Sequence, residues 1–247
     1  MNSSNKIRSR RINIDSTHIQ LKTDRPEIDI EEEIVNARFI IQDMINSNPS
    51  FNGFEPVDIK SHEHVISLMI NAGLISGIGP MSSVAGSISE ICLDKLVEHG
   101  SKYTLIENGG DIALNVNKNV IIGVYAGKSK LSGCIGFKFK PNKDIYGVCT
   151  SSGTVGHSIS FGLTDATIVF AKTASVADSL ATSIGNYGIG DSDYDIVENC
   201  IGNSDSFKDY FEGLVVIKGD IIGSTGNIPK FAKTNKKSLI HELFDTL

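Results

Sequence analysis

The stretch "TASVADSLATSIGN", from Thr173 to Asn186, predicts a helix with two different faces. Its apolar face consists of Val176, Ala177, Leu180, Ala181 and Ile184. The opposite face carries small hydroxyl side chains and Asp178, but no Lys, Arg or Glu. Solvent-exposed helix faces usually carry long charged side chains, so this composition indicates close approach by a ligand. A solvated face is the alternative interpretation.

Asp178 and Thr182 are the two residues of this face that suggest a specific chemistry. They are four positions apart, so their side chains are neighbours on a helix. A carboxylate and a hydroxyl are hard oxygen ligands, which suit Mg²⁺ better than a softer metal. The spacing therefore predicts a metal or phosphate contact at this face.

Two glycine-containing segments precede this helix in the chain. "GIGPMSSVAG", residues 77–86, leads into a predicted helix from about Ser82, and exposed backbone N–H groups at such a position bind anions. "ENGGDI", residues 107–112, predicts a tight turn between two strands. Its flanking acids, Glu107 and Asp111, can alternatively accept hydrogen bonds from a ribose or an adenine.

A third segment, "GVCTSSGTVGHS", covers residues 147–158 and reads as a loop. Its density of Gly, Ser and Thr indicates backbone amides and hydroxyls around an anion or a flavin edge. The residues expected to face such a ligand are Thr150, Ser151, Ser152, Gly153 and Thr154. The segment also contains Cys149 and His157, so a nucleophile with its base, or a simple linker, are the alternatives; a buried, inert thiol is the plainer interpretation of Cys149.

The remaining sequence predicts one mixed α+β domain over residues 1–247, with a mainly antiparallel sheet and packed helices. A polar segment from about residue 226 predicts a mobile C-terminal tail. Predicted helices cover 29–45, the region after Ser61, 82–100 and 173–186. Predicted strands cover 12–23, 119–126, 133–140 and 165–171, with hairpin turns at 108–110 and 218–220.

Composition excludes several classes of protein. The chain has 247 residues, 40% hydrophobic and 21% charged, which is typical of a globular protein. A net charge of -6 and scattered basic residues disfavour nucleic-acid binding. Neither a signal-like start nor an apolar run of about 18 residues is visible, so we expect a cytoplasmic protein without a membrane partner. The four cysteines lack metal-site spacing, which favours reduced thiols.

Four segments, taken in their order along the chain, resemble an uncharacterised branch of the ApbE-like superfamily. They are "GPMSSVAGSISE", "ENGGDI", "TSSGTVGHSISFG" and "ASVADSLATSIGN". The resemblance extends from the first predicted strand to the last hairpin and implies an ApbE-type, T-fold-like domain. The wider superfamily includes Mg²⁺-dependent flavin transferases, which bind FAD and move FMN onto a Thr or Ser of a partner protein.

The resemblance assigns roles to individual residues. It implies Mg²⁺ ligands at Asp178, Thr182 and the carbonyl of Ala85. It places Gly109, Gly110 and Asp111 beside the nucleotide, and the 150–158 loop would then cradle the phosphates. His157 would be the catalytic base that deprotonates an acceptor hydroxyl.

The sequence also departs from the transferase pattern. Gly86 and Ser87 stand where the transferases have a Lys, and Ser160 stands where an Asp is expected after the His. The Pro-Arg-Thr-Gly that normally follows is absent.

Three functional hypotheses follow. The first is a Mg²⁺-dependent flavin or nucleotidyl transferase acting on FAD or FMN, with an acceptor protein as partner. The second is a flavin- or nucleotide-binding protein without catalysis. The third is an accessory role in sulfur (homocysteine or cysteine) assimilation that uses Cys149.

Overall fold

The computed structural model describes residues 6–141, 146–154 and 160–234 and shows two antiparallel sheets. The strands are β1 (Arg8–Ile14), β2 (Thr17–Thr23), β3 (Tyr103–Asn108), β4 (Asp111–Val116), β5 (Val120–Gly123), β6 (Ile135–Phe139), β7 (Tyr146–Ser151), β8 (Ala166–Ala171), β9 (Gly213–Lys218), β10 (Ile221–Gly226) and β11 (Lys230–Lys233). The large sheet has the order β1-β2-β3-β4-β7-β8-β9-β10, and the small one has the order β11-β6-β5.

Helices cover one face of the large sheet. They are α1 (Glu31–Ser47), α2 (His64–Ser76), α3 (Val84–Glu98), α4 (Ala174–Asn186) and α5 (Asp193–Asn203). Their apolar residues, such as Ile34, Leu93 and Leu180, form one core with that face. A second core around Phe137 and Phe170 lies on the opposite face, beneath the small sheet. The molecule therefore has three layers, and the predicted α+β class with a mainly antiparallel sheet is confirmed.

Helix α4 is the central helix of this arrangement, since most of its residues are buried. It crosses β7 so closely that a Cβ at Gly147 would lie 2.2 Å from the carbonyl oxygen of Thr173. Its first turn is held from α3, where Glu90 Oε2 accepts a hydrogen bond from the Ser175 N–H at 2.9 Å. A carboxylate at a helix N-terminus also interacts favourably with the helix dipole. These contacts fix the position of the residues that follow on α4.

Several predicted elements are present. The turns at 108–110 and 218–220 connect paired strands, and the helix predicted at 173–186 is α4. Residues 12–23, predicted as one strand, instead belong to the β1–β2 hairpin, whose turn places Asp15 at φ 49°. Residues 147–151, interpreted as part of a loop, are in β7. Residues 230–233, within the predicted tail, form β11 and pair with β6.

No single helix of the described ranges has the length and apolar composition needed to cross a membrane. Helix α2 and the segment Pro80–Glu98 meet that criterion only together, across a bend of 109°.

Candidate functional site

Asp178 is buried where α4 meets the first turn of α3, with 8% of its surface exposed. Its Oδ2 accepts a hydrogen bond from the Gly86 N–H at 2.8 Å. Only a glycine fits at position 86, because a Cβ there would lie 2.4 Å from the Ala174 carbonyl oxygen and 2.7 Å from the Asp178 Cβ. The close contact between the two helices thus brings the Asp178 carboxylate to the start of α3.

Burial is the dominant influence on this carboxyl group. It raises the pKa of Asp178 to about 7, although the hydrogen bond from Gly86 acts in the opposite direction. Near neutral pH the group is therefore balanced between its neutral and charged forms. A cation bound beside it would favour the charged form.

Two serines on the hydroxyl face of α4 are used for helix packing. Ser179 Oγ shares hydrogen bonds with the hydroxyls of Ser76 and Ser82, and Ser183 Oγ donates to the Ser76 carbonyl at 2.7 Å. These bonds tie α4 to the end of α2 and to the 3₁₀ turn at 80–83. The absence of charged residues from this face therefore has a structural cause at Ser179 and Ser183, whose hydroxyls are buried between helices.

Thr182 differs from these serines because it is only half-buried. Its Oγ1 donates to Ser151 Oγ at 3.3 Å, at the end of β7. The Asp178 and Thr182 side chains thus point away from bulk solvent, towards α3 and β7 respectively.

The turn at 107–111 completes this region. Gly109 and Gly110 have φ angles of 68° and 107°, which disfavour residues with a side chain. Glu107 Oε1 accepts a hydrogen bond from the Gly110 N–H at 2.9 Å, and Asn108 Nδ2 donates to the Ala85 carbonyl oxygen at 3.3 Å. The turn therefore holds the carbonyl that the resemblance assigns to a metal ion. Sequence reasoning missed this role of Asn108, although the residue lies within the "ENGGDI" motif.

Asp111 follows the turn and is the second acid of the site. Its Oδ1 is buried and has no hydrogen-bond partner among the residues that the structure describes. Burial, then the charge of Asp178, raise the pKa of Asp111 well above its ordinary value. The backbone N–H of Thr150 opposes this shift by donating a hydrogen bond, and the adjacent thiol of Cys149 acts in the same direction. The two acids are therefore close enough to disfavour each other's ionisation.

Cys149 lies beneath these acids on β7 and is fully buried. Its Sγ donates to the Ala174 carbonyl at 3.3 Å. Burial and the charges of Asp111 and Asp178 raise the pKa of the thiol well above its ordinary value. A reactive cysteine needs an accessible thiolate, so this environment does not support Cys149 as a nucleophile or a sulfur carrier.

The residues predicted to surround phosphates divide into two groups. Thr150 and Ser151 border the site through Asp111 and Thr182. Ser152, Gly153 and Thr154 instead approach β8: the Gly153 N–H donates to the Thr164 carbonyl, and Thr154 Oγ1 donates to Asp165 Oδ1 at 2.9 Å. Ser152 Oγ also reaches the Thr164 carbonyl, at 3.4 Å. His157, the predicted base, lies outside the described residues.

The available donors are suited to a small hard cation. No cluster of three or more His, Cys, Asp or Glu side chains that could hold a metal occurs in the described residues. The residues that would hold such an ion are Asp178 and Asp111 through their carboxylates, Ala85 through its carbonyl and Thr182 through its hydroxyl. Oxygen donors with two negative charges fit Mg²⁺, and the buried, unpartnered Asp111 Oδ1 is the atom that such an ion would satisfy.

The family model described as "AbpE bacteria" matches residues 5–200. The chain belongs to this family. Among its relatives are a UPF0280 protein of Methanosphaera stadtmanae, 49% identical over 94% of each chain, and one of Methanothermobacter thermautotrophicus, 42% identical over 95% of this chain and 92% of the other. The predicted membership of an uncharacterised ApbE-like branch is confirmed.

Solved structures show the same fold. The flavinyl transferase ApbE of Pseudomonas stutzeri superposes with a TM-score of 0.53 and 13% identity, covering 98% of both chains. The ApbE protein of Thermotoga maritima gives a TM-score of 0.56 and 13% identity, over 95% of this chain and 99% of the other. This AbpE bacteria family member thus shares the ApbE fold at low sequence identity.

Proposed function

We propose that the protein binds FAD together with Mg²⁺ at the site between α3, α4 and the 107–111 turn, and transfers the FMN part to a hydroxyl of an acceptor protein. The observation that supports this most is the pair of buried carboxylates at Asp111 and Asp178, which lies beside a backbone carbonyl held by Asn108. Structures of the same fold are named flavin transferases, which supplies the ligand class.

The residues of the site have distinct tasks in this proposal. Mg²⁺ bound there supplies neutralisation of the pyrophosphate charge. Asp178 and Thr182 hold the ion from α4, while the Ala85 carbonyl is oriented by Asn108. Thr150 and Ser151 border the position of the phosphates at the end of β7.

The transfer itself balances as a substitution at phosphorus. The acceptor oxygen forms a bond to the FMN phosphorus, the pyrophosphate P–O bond breaks, and AMP leaves. The acceptor hydroxyl loses its proton to a base, the role proposed for His157. Cys149 takes no part, because its thiol is buried and protonated.

The test is incubation of the purified protein with FAD, Mg²⁺ and a Thr-containing acceptor peptide, followed by measurement of retained flavin and released AMP. Asp178→Asn is expected to lower AMP release by at least about 100-fold, since it removes a charged metal ligand. Asp43→Asn, the same substitution at an exposed position of α1, is the matched control and is expected to behave as wild type. Failure of the wild type to retain flavin under any condition would reject the proposal.

Binding without transfer is the second candidate. It is favoured by Ser160 in place of the Asp that the transferases carry, and by the absence of their Lys at positions 86–87. Retained flavin without AMP release, in the presence of Mg²⁺ and a Thr-containing acceptor peptide, would select it.

A further inference from the structure

The Asp111 carboxylate is one of the incompletely satisfied polar groups of the site. Its Oδ1 is buried and lacks a hydrogen-bond donor among the described residues. A buried carboxylate oxygen without a partner is costly, so its position calls for a ligand that the protein itself does not provide. Residues that bind the sugar or base of a nucleotide would be expected to face an open cleft instead.

The position of Asp111 in the sheet directs its side chain towards α3 and α4, which carry the other proposed metal ligands. On β4, Asp111 and Ala113 share a face because strand side chains alternate, and Ala113 is buried in the helix-side core. Cys149 on the neighbouring strand β7 belongs to the same core, and its thiol lies against the Asp111 carboxylate. Asp111 therefore points under α3 and α4, where Asp178 is located.

The surrounding hydrogen bonds fix Asp111 in this position. Ser89 Oγ of α3 donates to the Asp111 carbonyl at 3.1 Å, and Glu107 Oε1 accepts from the Gly110 N–H. Both bonds hold the backbone on either side of the carboxylate and leave its Oδ1 unused. Rigid support of this kind is what a metal ligand requires.

We propose that Asp111 is a direct ligand of the same divalent cation as Asp178, and that Asn108 positions the Ala85 carbonyl towards that ion. The proposal deepens the proposed function and rests on it. The "ENGGD" turn then builds the metal centre from one side, while α4 builds it from the other. Two carboxylates give the ion a charge-neutral environment, which strengthens its binding in a buried site.

The test measures binding of Mn²⁺ alone to the metal-free full chain. Binding is detected as a decrease in the electron paramagnetic resonance signal of unbound Mn²⁺. Asp111→Asn is expected to raise the Kd for Mn²⁺ by at least about tenfold, similar to Asp178→Asn. Glu107→Gln neutralises a nearby acid but keeps an acceptor for the Gly110 N–H, so it is expected to have a smaller effect. Asp43→Asn is the control on an exposed surface.

The outcomes separate this inference from the function on which it rests. Wild-type affinity in Asp111→Asn, together with lost binding in Asp178→Asn, overturns the role of Asp111 and leaves the proposed function standing. An equal loss in Glu107→Gln and Asp111→Asn also overturns it, because general negative charge would then explain the effect. No Mn²⁺ binding by the wild type overturns both.

A folding defect is distinguished by a second variant and measurement. Circular dichroism melting without metal is expected to show Asp111→Asn at least as stable as wild type, because a buried, unpartnered acid has been neutralised. If the Asn side chain disturbs the packing, Asp111→Ser replaces it, because serine is smaller and uncharged. This variant is expected to show the same loss of Mn²⁺ binding. A folded Ser variant with wild-type affinity contradicts the proposal.

Discussion

At the scale of single residues, the site is defined by two acids whose charges are mutually unfavourable. Asp178 retains one hydrogen bond, from Gly86, and Asp111 leaves Oδ1 without a partner among the described residues. Such an arrangement lowers the stability of the metal-free protein when both groups are ionised. The same arrangement favours binding of a cation, so stability and function are coupled at these two residues.

This coupling predicts an unusual pH dependence. In the unfolded chain Asp178 releases its proton near 3.8, whereas its pKa in the folded protein is about 7. Between these values the folded state binds more protons, so raising the pH favours unfolding. We expect the metal-free wild type to lose up to about 4 kcal/mol relative to Asp178→Asn between pH 4 and pH 7. Urea unfolding in EDTA measures this difference.

The comparison with Asp178→Asn removes the contribution of titrating groups whose pKa does not depend on Asp178. Because burial and the charge of Asp178 also raise the pKa of Asp111, that group is expected to add to the loss of wild-type stability as the pH rises. Mg²⁺ should restore more stability at pH 8 than at pH 5, since its ligands must be deprotonated. A difference between the two proteins that does not change with pH contradicts the proposed burial of the acid.

At the scale of elements, the contact between α3 and α4 depends on a glycine, which has no side chain. Gly86 lets the first turn of α3 approach α4, and Gly147 does the same for β7. Tight backbone contacts of this kind leave no room for a methyl group. The helices and strands that carry the site are therefore held more closely than ordinary side-chain packing allows.

Alanine substitutions at two helical glycines test this point. Gly86→Ala is expected to cost about 3 kcal/mol or more, because the new Cβ would overlap backbone atoms of α4. It should also abolish Mn²⁺ binding by displacing Asp178. Gly202→Ala in α5 meets nothing within 4 Å and should stabilise the protein by about 0.5–1 kcal/mol. Equal effects of the two substitutions, measured by urea unfolding, would show that the α3–α4 contact is looser than described.

The sequence predicted some elements better than others for physical reasons. Helix α4 and the 108–110 turn have strong local signals, a clear periodicity and an Asn-Gly-Gly turn. Strand β7 has no such signal, since its small residues are buried by neighbours rather than by their own hydrophobicity. Helix α5 was missed although Ser192 caps it and accepts a hydrogen bond from the Asp195 N–H.

The candidate site could likewise be predicted only where the local sequence carries a signal. Asp178 and Thr182 were predicted from helical spacing, and Asp111 from the turn that precedes it. The proximity of Asp111 to Asp178 could not be predicted, because it depends on β4 pairing with β7 and on α4 crossing β7. Local patterns specify which side chains share a face, whereas the sheet order decides which faces meet.

At the scale of the whole molecule, the proposed metal site and the small sheet lie in different cores, on opposite faces of the large sheet. Asp111, Asp178 and Cys149 lie on the helix side of the large sheet, whereas the small sheet packs on the other side. The rings of Phe137 and Phe170 meet edge-on, 4.8 Å apart, across this second interface. The small sheet therefore supports β8 without contacting the ligands of the proposed metal ion.

Strand β11 is the element by which this separation can be tested. Phe231 is half-exposed and packs 5.2 Å from the ring of Phe137, which is buried. Phe137→Ala is expected to cost about 3–5 kcal/mol, and Phe231→Ala about 1–2 kcal/mol because less of its surface is removed from water. Urea unfolding gives both values.

The affinity for Mn²⁺ is expected to stay unchanged when these substitutions lower the stability. Phe231→Ala is expected to keep the wild-type Kd for Mn²⁺, because β11 lies on the face opposite α3 and α4. A stability unchanged by Phe231→Ala would mean that β11 contributes nothing to the fold. A weakened Mn²⁺ affinity in a stable, folded Phe231→Ala protein would mean that the two layers are coupled through β8, and the independence of the site from its support would have to be abandoned.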